Sequence, residues 1–254
     1  MKTLTERVTP LRQPTKETQQ SKNISFMLWL LMAQLAIDAD ETALAELQKY
    51  SASKPDSAII YSVAPHTGHP DSLFVYKAIE VFSSTLHPPL RFVSAKDTWN
   101  TPLGLRVARS IIGELFLFDR NNLTANSMRN QVSAMADLLN PKQELNEQPE
   151  SLVIYPQGTR TIGAPIENMP AVLAQLAGVP IAVLNIYNAE GVMPKVPEGM
   201  QGLQLIETLI VRLKYRKARH RVIVKLADFI PEGGNLKETK KRFVAAHHQP
   251  LLNK

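Results

Sequence analysis

The feature that most constrains this chain is an alternation of short apolar runs with longer amphipathic segments. The runs at 58–64, 90–94, 114–118, 151–155, 180–186 and 221–227 have the length of a strand. Helical patterns lie near 72–83, 103–112, 124–139, 168–177 and 236–247. Strands that alternate with helices form crossover units, which build a parallel sheet with helices on both faces. We therefore expect an α/β fold with a mostly parallel sheet flanked by helices.

The first 50 residues have a different character. Residues 1–22 are polar and predict a flexible arm, and two helices are expected over about 24–37 and 40–50, an N-terminal helical appendage over 23–52. The apolar run 24–37 is roughly 14 residues long, whereas a membrane-spanning helix needs about 20. It either docks on the domain as a buried helix or lies among lipid headgroups, where the basic arm adds about 1 kcal/mol per Lys or Arg.

Composition narrows the chemistry. The 254 residues include no cysteine, which excludes disulfides, zinc ribbons and thiol nucleophiles and fits a cytoplasmic protein. The net charge of +6 favours an anionic partner. The basic run 212–221 is either a solvated face or a contact for a membrane or a carrier protein. Aromatic residues are almost absent from it, so nucleic acid is not an expected partner. No G-x-S-x-G elbow, phosphate-binding glycine loop or H-E-x-x-H motif occurs.

Three loops that follow apolar runs carry the candidate site residues. His66 and Asp71 come after the first run, Asp119 and Arg120 after the third, and Gln157, Gly158, Thr159 and Arg160 after the fourth. If these runs are parallel strands, their loops leave the same edge of the sheet, which is where open α/β folds bind ligands. The sequence therefore predicts one site that joins a histidine, an aspartate and two arginines.

His66 and Asp71 suit general-base chemistry. A carboxylate that accepts one imidazole N–H fixes the tautomer and makes the other ring nitrogen a better base. Asp71 reads equally well as a helix N-cap, and His66, His69 and Asp71 together form a metal-binding alternative. Arg120 and Arg160 match an anion such as phosphate, because a guanidinium offers two parallel charge-assisted hydrogen bonds. Gly158 lets the backbone approach that anion closely.

The loops together resemble four ordered blocks of the glycerolipid acyltransferase superfamily, to which the lysophosphatidate acyltransferases belong. The resemblance covers about 57–231 and rests on His66-x4-Asp71, 117–122, 155–160 and 178–181. It implies an acyltransferase domain over 53–254 that moves an acyl chain from coenzyme A or acyl carrier protein to a lysophospholipid hydroxyl, most simply lysophosphatidate. The protein would be peripheral on the membrane and need no cofactor or metal.

In that resemblance His66 is the base, Asp71 orients it, and Gln157, Gly158, Thr159, Arg120 and Arg160 bind the acceptor. Two departures from the family concern the acceptor side: Gln157 stands where the family has Glu, and 165–170 replaces a Phe-Lys-x-Gly segment. They leave open the alternative of a non-catalytic or weakly active lipid-binding relative.

Overall fold

A computed structural model describes residues 22, 24, 33–66, 71–83, 88–96, 102–121, 124–141, 148–157, 164–189 and 220–249. Of the flexible arm predicted over 1–22, residues 1–21 lie outside them.

The described residues form a seven-stranded sheet flanked by helices, which confirms the α/β prediction. The strands are β1 (Ala33–Ala39), β2 (Ile60–Ala64), β3 (Leu90–Ala95), β4 (Leu115–Phe118), β5 (Ser151–Ile154), β6 (Ile181–Tyr187) and β7 (His220–Ile230). The helices are α1 (Glu41–Ser53), α2 (Asp71–Phe82), α3 (Pro102–Ile112), α4 (Ala125–Leu139), α5 (Met169–Ala177) and α6 (Leu236–His247).

The strand order across the sheet is β1-β7-β6-β2-β5-β3-β4. Strands β2 to β6 run parallel to one another, β7 is antiparallel to β6, and β1 is parallel to β7. The carboxyl ends of β2, β3, β4 and β5 therefore lie at one edge, as the sequence argument required. The middle of the sheet is β2, whose five residues are all buried.

Both faces of the sheet are covered, because successive side chains of a strand point to opposite faces. Tyr61 and Val63 pack with α1, α2 and α3 in one core cluster. Ile60, one position away, packs with α4, α5 and α6 in the other. Burial on two faces explains why the central strands β2, β5 and β6 are nearly continuous apolar runs.

The helix predicted over 24–37 is wrong at its C-terminal end, because residues 33–39 form strand β1. Its backbone pairs with β7 in register from Ala33 opposite His220 to Ala39 opposite Leu226. Leu35 and Ile37 pack against the core while Gln34 and Asp38 are exposed, which is the period-two pattern of a half-buried strand. Pairing with β7 overrides the helical preference of Ala, Leu and Gln.

The N-terminal segment packs on the domain at Ile24 and again from residue 33 onward. Ile24 is fully buried in the first core cluster, and α1, capped by the Asp40 side chain, packs against β7. Of the two alternatives for 24–37, docking on the domain holds at Ile24 and from residue 33 onward. Among the helices in the described ranges, none has both the length and the apolar character needed to cross a bilayer.

Candidate active site

The candidate site lies at the carboxyl edge of the sheet, from which the predicted loops leave. His66 follows β2 by two residues, Tyr155 and Gln157 follow β5, and Asp119 and Arg120 follow β4. The sheet order places β5 directly beside β2, whereas β4 is three strand positions away. At about 4.8 Å per strand, the ends of β2 and β4 are about 14 Å apart. The His66 and Gln157 loops are thus neighbours, and Arg120 belongs to the margin of the same edge.

His66 and Asp71 form a hydrogen-bonded pair. His66 Nδ1 lies 3.0 Å from Asp71 Oδ2, with 18% of the histidine side chain and 1% of the aspartate side chain exposed. A carboxylate can only accept here, so Nδ1 carries the proton and Nε2 is left as the basic nitrogen. Asp71 is the first residue of α2, where the helix dipole favours a negative charge. A buried carboxylate behind a partly exposed imidazole is the arrangement of a general base with its orienting group.

Tyr155 covers one face of the His66 ring. The two ring centroids are 4.0 Å apart with an interplanar angle of 25°, and the Tyr155 hydroxyl lies 3.1 Å from Ser72 Oγ. Burial raises the pKa of Tyr155 above its ordinary value, the Asp71 carboxylate raises it further, and the Ser72 hydrogen bond partly opposes both. The hydroxyl therefore stays protonated. Tyr155 links the His66 ring, through its own ring, to the first turn of α2, through its hydroxyl. Sequence reasoning missed Tyr155 as a site residue.

Gln157 is buried and both ends of its amide contact main chain. Its Oε1 accepts the main-chain N–H of His66 at 3.1 Å, and its Nε2 donates to Ala164 O at 3.1 Å. The residue as a whole is 9% exposed. The resemblance predicted that Gln157 binds the acceptor. The contacts described for it are hydrogen bonds to His66 and Ala164 of the protein itself.

Asp119 and Arg120 occupy the β4 end of the edge. Gln131 of α4 brackets Asp119, accepting its N–H at 2.6 Å and donating to its carbonyl at 3.2 Å. Asp119 Oδ2 also lies 3.6 Å from Lys96 Nζ at the end of β3. Arg120 is exposed. The edge therefore carries cationic groups on its β3–β4 side and the histidine on its β2 side.

Four residues that the sequence analysis considered for the site lie outside the described ranges: His69, Gly158, Thr159 and Arg160. The metal alternative that combined His66, His69 and Asp71 falls partly on these positions. Within the described ranges, no cluster of three or more His, Asp or Glu side chains could hold a metal ion.

A second polar cluster lies on the sheet face that α6 covers, between β2, β6 and the end of that helix. Ser62 Oγ is 2.9 Å from His247 Nε2, and His247 Nδ1 is 3.0 Å from Asn185 Oδ1. Asn185 Nδ2 donates to Ala246 O, so its Oδ1 accepts from Nδ1–H of the histidine and the Ser62 hydroxyl donates to Nε2. Ser62 is fully buried and Asn185 is 2% exposed. Every polar group of the cluster is paired, which is the arrangement that makes a buried polar cluster tolerable.

Comparison of the chain with protein-family models and with curated proteins finds no match.

Proposed function

We propose that this protein transfers an acyl chain from a thioester, acyl-coenzyme A or acyl carrier protein, to the hydroxyl of a lysophospholipid, with lysophosphatidate as the first acceptor to test. The observation that carries the proposal is the His66–Asp71 pair: a buried carboxylate 3.0 Å from an imidazole that remains partly exposed. The order of the four blocks that resemble glycerolipid acyltransferases supplies the reaction class.

In the proposed reaction His66 Nε2 removes the proton of the acceptor hydroxyl as its oxygen attacks the thioester carbonyl carbon. The new C–O bond forms, the tetrahedral intermediate collapses, and the C–S bond breaks. The departing thiolate takes the proton from the His66 imidazolium, so the products are an ester and a free thiol. Positioned general-base catalysis of this kind contributes about 10²–10⁴ in rate. No covalent acyl-enzyme is involved, which agrees with a chain that lacks cysteine and a serine elbow.

The acceptor phosphate is proposed to bind on the cationic side of the edge. Arg120 stands exposed after β4, and a guanidinium binds phosphate through paired charge-assisted hydrogen bonds. The resemblance assigns Arg160 to the same phosphate and places Gly158 and Thr159 among the substrate-binding residues. With β2 and β4 ends about 14 Å apart, Arg120 has to extend along the edge to meet a phosphate whose hydroxyl lies at His66.

Peripheral binding to an anionic membrane belongs to the proposal, because the acceptor is a lipid. The chain carries a net charge of +6, and α6 adds the exposed Lys237 and Lys241 to the basic run 212–221. Co-sedimentation should show binding to vesicles that contain phosphatidylglycerol and weaker binding as salt rises, since salt screens surface charges. Equal recovery with vesicles of phosphatidylcholine alone would contradict this part of the proposal.

The test of the reaction is a panel assay. Several lysophospholipids are combined with acyl-coenzyme A and acyl carrier protein donors, and ester formation is measured for wild type, H66A and D71N. We expect kcat to fall by about 10²-fold or more in each variant while lysophospholipid still binds. H248A is the matched control, because His248 is exposed at the end of α6 and should keep full activity.

Two results would contradict the proposal. Turnover at the wild-type rate in H66A would remove the imidazole from the reaction. A wild-type protein that binds lysophospholipid and transfers no acyl chain from any donor would instead indicate the non-catalytic lipid-binding relative.

A further inference from the structure

We propose that Gln157 is a positioning residue that fixes the main chain of His66 against the end of β5; this inference rests on the proposed function. The role differs from the acceptor contact assigned by resemblance. It concerns where the imidazole stands, and neither Asp71 nor Tyr155 determines that alone.

The local sequence creates the need for such a residue. Strands β2 and β5 pair in register, with Ser62 opposite Ile154 as the last pair. Beyond it come Pro65 on one strand and Pro156 on the other, and proline has no N–H to continue a ladder. The first main-chain donor beyond Ala64, the last residue of β2, is therefore the N–H of His66.

The Gln157 amide takes the place of the missing ladder. Its oxygen accepts the His66 N–H at 3.1 Å, and its nitrogen donates to Ala164 O at 3.1 Å. A second bond, from the Glu167 N–H to Pro156 O at 2.9 Å, also joins the chain that follows β5 to the chain that precedes α5. The histidine backbone is thus tied to the end of β5 and, through it, to the chain that enters α5.

This tie completes the definition of the imidazole position. Asp71 fixes one ring nitrogen and Tyr155 lies on one ring face, but both contacts act on a side chain whose backbone lies in a loop. A misplacement of about 1 Å costs about 10²-fold in rate. Holding the backbone is therefore the remaining requirement for a preorganised base.

The contacts of Gln157 distinguish this role from acceptor binding. The residue is 9% exposed, and each end of its amide already has a main-chain partner. A phosphate could reach only the second N–H of Nε2, because the oxygen is an acceptor already bonded to His66 and the first N–H is bonded to Ala164 O.

The experiment compares two variants. Q157M keeps the approximate length and removes both polar ends, whereas Q157E keeps an oxygen for the His66 N–H and loses the donor to Ala164. Q48E, on the exposed surface of α1, is the control for the change of charge. For each protein we measure kcat, the acceptor KM, the melting temperature and the hydrogen exchange of the His66 amide.

In Q157M we expect the His66 amide to exchange at least about tenfold faster and kcat to fall about 10–100-fold, with the acceptor KM within about threefold of wild type. In Q157E the amide should stay protected and kcat should stay within about fivefold of wild type, because the acceptor group is kept. If Gln157 only filled space, Q157E would not keep kcat and the protection of the His66 amide better than Q157M.

Two outcomes would overturn the proposal. One is a rise of about tenfold in the acceptor KM of Q157E at unchanged kcat, as expected for a carboxylate placed against a phosphate. The other is a Q157M protein with wild-type kcat and His66 amide exchange. Where Q157M does not fold, the KM and kcat of Q157E decide. The exchange measurement needs no substrate, so an inactive wild type would end the proposed function while leaving the hold on His66 open to its own test.

Discussion

Acidification should destabilise this protein through His247, the histidine that joins α6 to β2 and β6. Burial lowers the pKa of His247 from its ordinary 6.5 to about 3, and the neighbouring His248 lowers it slightly more. The native imidazole is neutral: it donates through Nδ1 to Asn185 and accepts at Nε2 from Ser62. Protonation would place a charge in this enclosed cluster and remove the acceptor that the Ser62 hydroxyl uses.

The magnitude follows from the two pKa values. Below pH 6.5 the unfolded chain binds a proton at this histidine that the native chain does not, so the free energy of unfolding falls as the pH falls. The contribution is complete above about pH 6.5 and is lost progressively toward pH 3, at about 1.4 kcal/mol for each pH unit. Between about pH 7.5 and pH 5.0 the loss from His247 is about 2 kcal/mol.

The assay is urea denaturation at these two pH values, followed by circular dichroism. H247Q cannot titrate, so its unfolding free energy should depend less on pH than that of wild type, by about 2 kcal/mol over the interval. H248Q is the matched control, because His248 is the adjacent residue and is exposed. It should keep the wild-type dependence. If wild type and H247Q lose the same stability between the two pH values, the reasoning about this cluster is refuted.

Two further predictions concern the N-terminal segment and the ring beside His66. I24A should lower the free energy of unfolding by about 2–4 kcal/mol, because Ile24 is fully buried in the core; the control L176A removes a side chain that is 63% exposed and should have little effect. Urea denaturation without lipid checks this, and an unchanged I24A would mean that the segment does not dock. Y155L should lower the rate of acyl transfer about tenfold or more through loss of the ring on His66, whereas Y155F loses only the bond to Ser72 and should stay within about fivefold. In the H66A background, neither Y155L nor Y155F should lower the rate below that of H66A alone. A further loss in the double variants would show that Tyr155 does not act through His66.

The strands and helices from residue 58 onward could be predicted because their signals are local. Strands buried on both faces give unbroken apolar runs, and the helices begin at polar caps such as Thr124 and Asn235. That His66, Gln157 and Arg120 share one edge follows from parallel strands alone, whereas their separation along that edge depends on the strand order.

Strand β1 and Tyr155 were missed for reasons that lie outside local pattern. Residues 33–39 become a strand because β7, nearly 190 residues later, supplies the hydrogen-bonding partner. The alternation of Leu35 and Ile37 with Gln34 and Asp38 was the available signal, and the long apolar run before it obscured it. The sequence pattern identified Tyr155 only as the last residue of an apolar run. Its ring lies on His66 because β5 is the neighbour of β2 in the sheet.

The strand order also separates reaction from recognition. The proposed base follows β2, which is paired on both sides and enclosed by two layers, whereas Arg120 follows β4, an outermost strand with one neighbour. Elements at a sheet margin open locally at lower energy than central ones. In the proposed reaction, substitutions near β4 would therefore change which head group is accepted while the imidazole stays where it is, so that the choice of lipid would diverge sooner than the chemistry.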